Sequence, residues 1–364
     1  MNIKRVALAG AALLMGILPF STAHAAGSDF SVQAVVPATQ IDKSNTSYFD
    51  LKLNPGQQEK LTFNLQNTSN KDITIDVTAG TAGTSNAGAV DYTANGPFDA
   101  SLPDQLGKYM QAPEKVTIPA KQTQAVNVQL TMPNKAVTGV MAGGVHFLEE
   151  GQNAQKAGSG MNINSVLSYT VAVLARNTTD NNDVADTLNT GRVAPVSKNG
   201  HTTINAEVSN PKQALLNRLE ITGKVRDAEG KVAYKGAQKM MQMAPNSKFD
   251  FTIDSNGQRL AAGKYTATYT AFWSENVNGK YADATGTRFD YRKDWTETFT
   301  VTADQAKKFN DNDAMIKAKG SLPVIMWVII GVVVLLVLVI VGLIWFILAK
   351  RRKEEREENM DKLK

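Results

Sequence analysis

The sequence contains no cysteine and only three histidines in 364 residues. Without cysteine the chain can hold no disulfide, no zinc–thiolate site and no thiol nucleophile. Its fold must rest on apolar burial, which a body of roughly 290 residues in two domains can supply. His24 lies near the N-terminus, His146 in the strand-like GGVHF and His201 just after Asn199-Gly200. A strand face and a turn account for the last two. No G-x-S-x-G elbow points to a Ser-His-Asp triad, and no glycine loop with a lysine offers a phosphate cradle. Asp91, Asp99 and Asp104 are the acids a wall hydrolase working with two carboxylates would need, yet they fall in a polar connection where acids are common. The shortage of catalytic groups favours binding over catalysis, with no cofactor and no metal expected.

Strong charge of one sign is missing too. The net charge is +5, but Lys4 and Arg5 supply +2 and the segment from Lys317 to Lys364 another +4, which leaves the intervening body at −1. A nucleic-acid partner has no electrostatic footprint there. What stands at the two ends is apolar. Val6 to Phe20 leads to Ala23-His24-Ala25, the layout of a signal peptide over 1–25. Leu322 to Leu348 carries no charge and exceeds the roughly 20 residues needed to cross a bilayer. Lys350-Arg351-Arg352-Lys353 follows, and basic flanks favour the cytoplasmic side. The expected topology is a body outside, one transmembrane helix over 322–348 and a short cytoplasmic tail over 349–364.

Between the ends, no helical period shows before residue 300. Apolar residues alternate instead. Leu51 and Leu53 precede the turn Pro55-Gly56, and Leu61, Phe63 and Leu65 follow it; then come Ile73, Ile75 and Val77, Val116 and Ile118 before Pro119, and Val126, Val128 and Leu130. Short strands separated by turn residues argue for an all-β fold of sandwich type. The layout returns further on. Ile204, Ala206, Val208 and Asn210 repeat Leu61, Phe63, Leu65 and Asn67; Met241, Met243 and Pro245 repeat Val116, Ile118 and Pro119; Gly263 to Trp273 repeats Gly139 to Phe147. Three echoes in one order predict two tandem immunoglobulin-like β-sandwiches, over 28–150 and 160–303, with the strand Val166 to Leu174 closing the first or opening the second. A short helix or polar stalk is expected over 304–320.

Two long connections are the candidate binding elements. Gly80 to Pro113 holds Asp91, Tyr92 and Phe98. Ser274 to Asp294 mixes Tyr281, Phe289 and Tyr291 with Arg288 and Arg292, a composition suited to a protein or an acidic polymer. In GKYTATYTAFW, Tyr265, Tyr269 and Trp273 share a face that is either core or a platform for sugar rings, with threonines on the other side. Gly143-Gly144 within a strand signals close approach by a neighbouring strand or a ligand.

FSVQAVVP (30–37), YFDL (48–51), NAGAVDY (86–92) and GVMAGGVHF (139–147) in the first half, with INAEVSNP (204–211), MAPNSKFDF (243–251), LAAGKY (260–265) and WTETF (295–299) in the second, resemble the WxL-interacting proteins of Gram-positive bacteria. The resemblance implies a non-enzymatic cell-surface protein. Its first domain would bind peptidoglycan, and its second would be a host-binding domain associated with attachment to a host extracellular-matrix protein. WxL-domain surface proteins are the implied partners. The chain has no L-P-x-T-G sorting signal, so a membrane anchor is expected in place of sortase attachment.

Overall fold

The computed structural model describes residues 29–93, 95–151, 167–179, 184–320 and 324–361; the expected signal peptide and most of the 149–160 linker lie outside them. The first sandwich comprises β1 (Phe30–Val35), β2 (Phe49–Lys52), β3 (Gln58–Asn67), β4 (Ile73–Thr81), the short β5 (Gly83–Thr84) and β6 (Val90–Asp91), β7 (Met110–Gln111), β8 (Lys115–Ile118), β9 (Thr123–Thr131), β10 (Met141–Glu149) and β11 (Ser168–Arg176). One sheet runs β1-β3-β9-β7, the other β2-β11-β10-β4-β8. The alternation in the sequence is what turns their inner faces together: Leu61, Phe63 and Leu65 on β3, Ile75 on β4, and Val128 and Leu130 on β9 are fully buried. Phe63 sits edge-on to Phe49 and Phe147, at 5.4 and 5.0 Å between centroids, a favoured aromatic geometry. The Pro55-Gly56 turn joins two strands as expected, but those strands do not pair. β2 lies parallel to β11, while β3 is held between β1 and β9 in the facing sheet. The turn therefore carries the chain between layers, with Gly56 at φ +71°.

The second sandwich comprises β12 (Asn189–Lys198), β13 (His201–Asn210), β14 (Leu216–Arg226), β15 (Val232–Met243), β16 (Ser247–Asp254), β17 (Gly263–Glu275), β18 (Tyr281–Ala282) and β19 (Arg288–Val301). Its sheets run β12-β13-β16 and β15-β14-β17-β19-β18. Laid over the first sandwich, β1-β3-β9 corresponds to β12-β13-β16, and β8-β4-β10-β11 to β15-β14-β17-β19. The echoes in the sequence are one strand order used twice. β11, the counterpart of β19, pairs antiparallel with β10 along eight residues, so of the two places left open for the strand expected over 166–174, it lies in the sheet of the first sandwich.

Tyr265, Tyr269 and Trp273 on β17 point inward, none more than 3% exposed; their face is core and not a platform for sugars. Each stacks on the residue opposite it on β19: Tyr265 on Phe299, Tyr269 on Trp295 and Trp273 on Tyr291, with centroids 5.2, 4.9 and 5.5 Å apart. Cross-strand aromatic pairs of this kind stabilise a sheet by up to about 1 kcal/mol each.

After β19, Thr302 and Gln305 form a reciprocal capping box at the start of α1 (Ala303–Asn312). Of the short helix or polar stalk expected here, the structure has helix, and it is docked on the second sandwich. Ala306 and Asn310 are buried, because the Asn310 amide closes both backbone groups of Leu260, donating to its O and accepting from its N at 2.8 Å each. Buried Asp313 accepts from Thr202 N and caps α2 (Ala314–Gly320) at Met315 N. α3 (Val324–Asp361) follows. Its stretch Ile329–Lys350 is long and apolar enough to cross a membrane, and the helix runs on through the basic residues expected to open a tail.

Candidate functional site

The turns after β13 and β15 lie at the end of the second sandwich away from α1, and there it meets the first sandwich. The connection Gly80–Pro113 reaches across. Its start folds into the β5–β6 hairpin. Thr84 Oγ1 accepts from Ala244 N at 3.0 Å and lies 2.5 Å from Ser247 Oγ. Ser247 gives its own hydrogen to Ala244 O, so Thr84 is the donor between the two hydroxyls. Gln242 N donates to Gly88 O, Asp99 N to Asn246 O and Val140 N to Gln213 O, each at 2.8 Å. Ala82, Val140, Ala142, Leu174 and Ala244 form a small apolar cluster beneath these bonds, with Tyr92 and Leu215 packed on it. Gly139 marks how close the approach is: at φ +83°, a Cβ there would lie 2.0 Å from Gln213 O.

A cleft of about 650 Å³ opens beside this junction, with Ser101 and Thr138 on one wall and Asp186, Lys212, Asn246 and Tyr291 on the other. Asn246 stands at φ +49° and is 2% exposed. Its Nδ2 donates to Ser101 O, Ser101 Oγ and Pro211 O at 3.3, 2.9 and 3.1 Å, which fixes the orientation of the amide, while its Oδ1 accepts no hydrogen bond. The half-buried Tyr291 ring is backed by Trp273, and Trp273 is itself held by a bond from Nε1 to Ala185 O. Lys212 and Asp186 pair at 3.1 Å on the rim, where hydrogen bonds from Thr187 and Lys212 hold the Asp186 carboxyl below the usual carboxylate range.

A second groove, of about 560 Å³, lies on the outer face of the first sandwich and includes Asp76, Glu114, Lys115 and His146. His146 Nδ1 meets Thr170 Oγ1 at 2.9 Å; burial pushes the imidazole down against the pull of Asp91. Among the described residues, no group of three or more His, Asp or Glu is placed to hold a metal ion.

The residues singled out in the two connections do not form one site. Asp91 accepts from Thr93 N at 2.8 Å. Tyr92 folds over Gly144, where a Cβ would meet its Cβ and O at 2.8 Å, and burial pushes its phenol up. Phe98 sits in the junction, bridged to Ser247. Ser274–Asp294 is no open connection, because β17 and β19 extend into a hairpin whose tip folds onto the outer face of the sheet. Phe289 is 3% exposed and packs on Phe272 at 5.5 Å. Tyr281 pairs with it across β18 and β19. Arg288 Nε donates to Gly279 O at 2.8 Å; Arg292 lies over the Phe272 ring and pairs with Asp294. Lys239 ties the tip down, reaching Glu220 and Asp283 at 3.0 and 2.9 Å. Of this group Tyr291 lines the cleft. Sequence reasoning passed over Asp186, Lys212 and Asn246, which lie singly in short turns; Pro245-Asn246, a turn pair with a residue tolerant of positive φ, was the available signal.

Comparison with known proteins adds the domain identities. Residues 30–149 match the WxL Interacting Protein peptidoglycan binding domain, and residues 158–311 match the WxL Interacting Protein host binding domain. Among curated proteins, none matches the chain. Similar solved structures include the class 5 fimbriae chaperone CfaA (12% identity, 74% of this chain, 98% of that chain, TM-score 0.29), the Pseudomonas aeruginosa CupB2 chaperone (10%, 66%, 92%, 0.25) and the E. coli chaperone DraB (12%, 74%, 98%, 0.26). At these TM-scores the likeness says nothing of what this chain binds. The two matched domain families are binding families and, with the apolar helix, support a binding role at the cell surface. Matched in order over most of its length, the chain belongs to the WxL Interacting Protein family.

Proposed function

We propose that the protein is a non-enzymatic, membrane-anchored scaffold that holds peptidoglycan and WxL-domain surface proteins together close to the bilayer. The order of its parts carries this reading: a peptidoglycan binding family, a host binding family, then a helix of membrane-spanning length three residues beyond α2. Anchored with the body outside and the basic end of α3 in the cytoplasm, two domains each roughly 35 to 40 Å across reach only about 80 Å from the membrane. That distance suits the inner wall. The test is capture: full-length protein in detergent is exposed to surface proteins released from Gram-positive cells. Retention of WxL-domain proteins supports the scaffold, and a wash-through of all of them removes WxL proteins as partners.

The second matched family is described as a host binding domain, which favours one other reading, direct attachment to a host, with an extracellular-matrix protein as the ligand we propose. Antibody access to the second sandwich on intact cells separates the two, since an adhesin must be reachable and a scaffold near the bilayer need not be.

A further inference from the structure

We infer that the end of the second sandwich that carries α1 is a second membrane contact, a cationic face that seats on the phosphate headgroups of anionic phospholipids. The inference rests on the membrane-anchored reading above and adds a surface to it. Chain length brings this face to the bilayer. The N–H of Ala314, the first residue of α2, donates to Gly200 O at 2.7 Å. α2 therefore starts against the β12–β13 turn, and its seven residues extend only about 10 Å. The uncharged part of α3, Val324 to Leu348, is about 37 Å long and exceeds the roughly 30 Å of the hydrocarbon core. Its outer end thus lies at headgroup level, and even a fully stretched connection from α2 leaves the sandwich end within about 25 Å of it.

The charges at this end fit an anionic surface. Over the turns 197–201, 226–231 and 254–264 and the segment 303–320, nine basic residues stand against six acidic ones. Most of the acids are engaged within the protein. Asp313 is buried and holds Thr202 N, and Asp311 pairs with Lys307. Asp227 accepts from Lys231 N at 2.8 Å and Asp254 from Asn256 N at 2.6 Å. Asp304 sits in the first turn of α1, where the helix dipole favours a negative charge. Lys198, Lys231, Arg259, Lys264, Lys308 and Lys317 are all exposed, and cations gathered this close to a bilayer are drawn to anionic lipid and hardly to neutral lipid. Lys231, Arg259 and Lys264, with Asp227, Glu229 and Tyr234 beside them, line a hollow of about 430 Å³, which has room for a headgroup. Met315, 37% exposed on α2, adds an apolar side chain of the kind that enters the interface next to lysines. Seated in this way, the second sandwich is held by a face as well as by a helix, which fixes its orientation over the bilayer.

The experiment places the full-length protein in nanodiscs of phosphatidylcholine alone or of phosphatidylcholine with phosphatidylglycerol. Because the sequence lacks cysteine, Ala228→Cys gives a single labelling site in the exposed β14–β15 turn, and nitroxides on the lipid headgroups quench a fluorophore there according to its distance. Quenching is expected to be at least about twofold stronger in the anionic discs and to fall to the phosphatidylcholine level in high salt. Arg259→Gln, Lys264→Gln and Lys308→Gln together should abolish the difference; all three side chains are exposed, so the fold is retained. Lys60→Gln, on β3 of the first sandwich, is the control and should leave the difference in place. Equal quenching in the two discs with the protein inserted overturns the inference, although the anchor stands. If quenching is equal but soluble poly(glycerol phosphate) binds the unaltered protein and not the triple variant, the face serves a polymer and the lipid assignment is overturned. Failure to insert into either disc removes the anchor, and the membrane reading falls together with the face.

Discussion

Asn67 and Asn210 make the same hydrogen bonds at the same place in the two sandwiches. Each ends the strand at the centre of its smaller sheet motif, β3 or β13. Asn67 Nδ2 donates to Lys71 O and to Ile118 O, the carbonyl before Pro119; Asn210 Nδ2 donates to Ala214 O and to Ala244 O, the carbonyl before Pro245. Each Oδ1 accepts from the N–H two residues on, Ser69 or Lys212. The repeat is therefore chemical as well as topological, and one side chain ties a turn to a distant strand in both domains.

Replacing either asparagine by alanine leaves buried carbonyls without donors, at about 1–3 kcal/mol for each group left unpaired. Asn67→Ala and Asn210→Ala should each lower stability by about 2–3 kcal/mol, with Asn→Asp no better because a carboxylate has no N–H to give. Denaturant unfolding of the two variants measures this; a loss below about 0.5 kcal/mol would contradict the assignment.

Thr84→Val keeps the shape at the junction but removes the acceptor for Ala244 N and the donor to Ser247 Oγ. A cost of about 1–3 kcal/mol falls on domain association and not on either core. Calorimetry should show one coupled transition for the unaltered protein and separating transitions for the variant.

Lys239 joins two carboxylates, one of which, Glu220, is 6% exposed. Lys239→Met removes the charge and strands Glu220, so the 276–287 hairpin tip should loosen from the sheet. Hydrogen exchange confined to that tip is the readout; a change in the first sandwich is not expected.

The docking of α2 depends on pH. Burial alone would raise the Asp313 carboxyl, but N–H donors from Thr202, Ile316 and Met315 outweigh it and hold the carboxyl below its ordinary value of 3.8. A depressed folded-state pKa stabilises above the unfolded value and is lost as pH falls through the folded one. The latch should hold from neutral pH to about pH 4 and weaken below it, and Asp313→Asn should abolish that dependence. Proteolysis between α1 and α2 across pH reports the change.

Much of this was legible in the sequence. The parity of Leu61, Phe63 and Leu65 showed which face is buried, since side chains alternate along a strand, and that of Tyr265, Tyr269 and Trp273 showed that they share a face, though not whether it is core or a platform. Parity says nothing of which sheet a strand joins, so β2 and β3 looked adjacent and β11 stood between two domains. The candidate site was harder to see for a physical reason. Thr84 and Ser247 are small polar residues at strand ends and Asn246 lies in a turn; such residues are ordinary on any surface and acquire meaning only when the 80–113 connection brings them together. Phe289, read as an exposed loop aromatic, is enclosed because β17 and β19 continue pairing as far as Glu275 and Phe289.

The central claim, that this family member holds the cell wall, is tested most directly by sedimentation of the full-length protein in detergent with purified sacculi. The account predicts that it pellets with them in a saturable way and that soluble N-acetylated disaccharide-peptide releases it. Folded protein that stays in the supernatant at every sacculus concentration would contradict it.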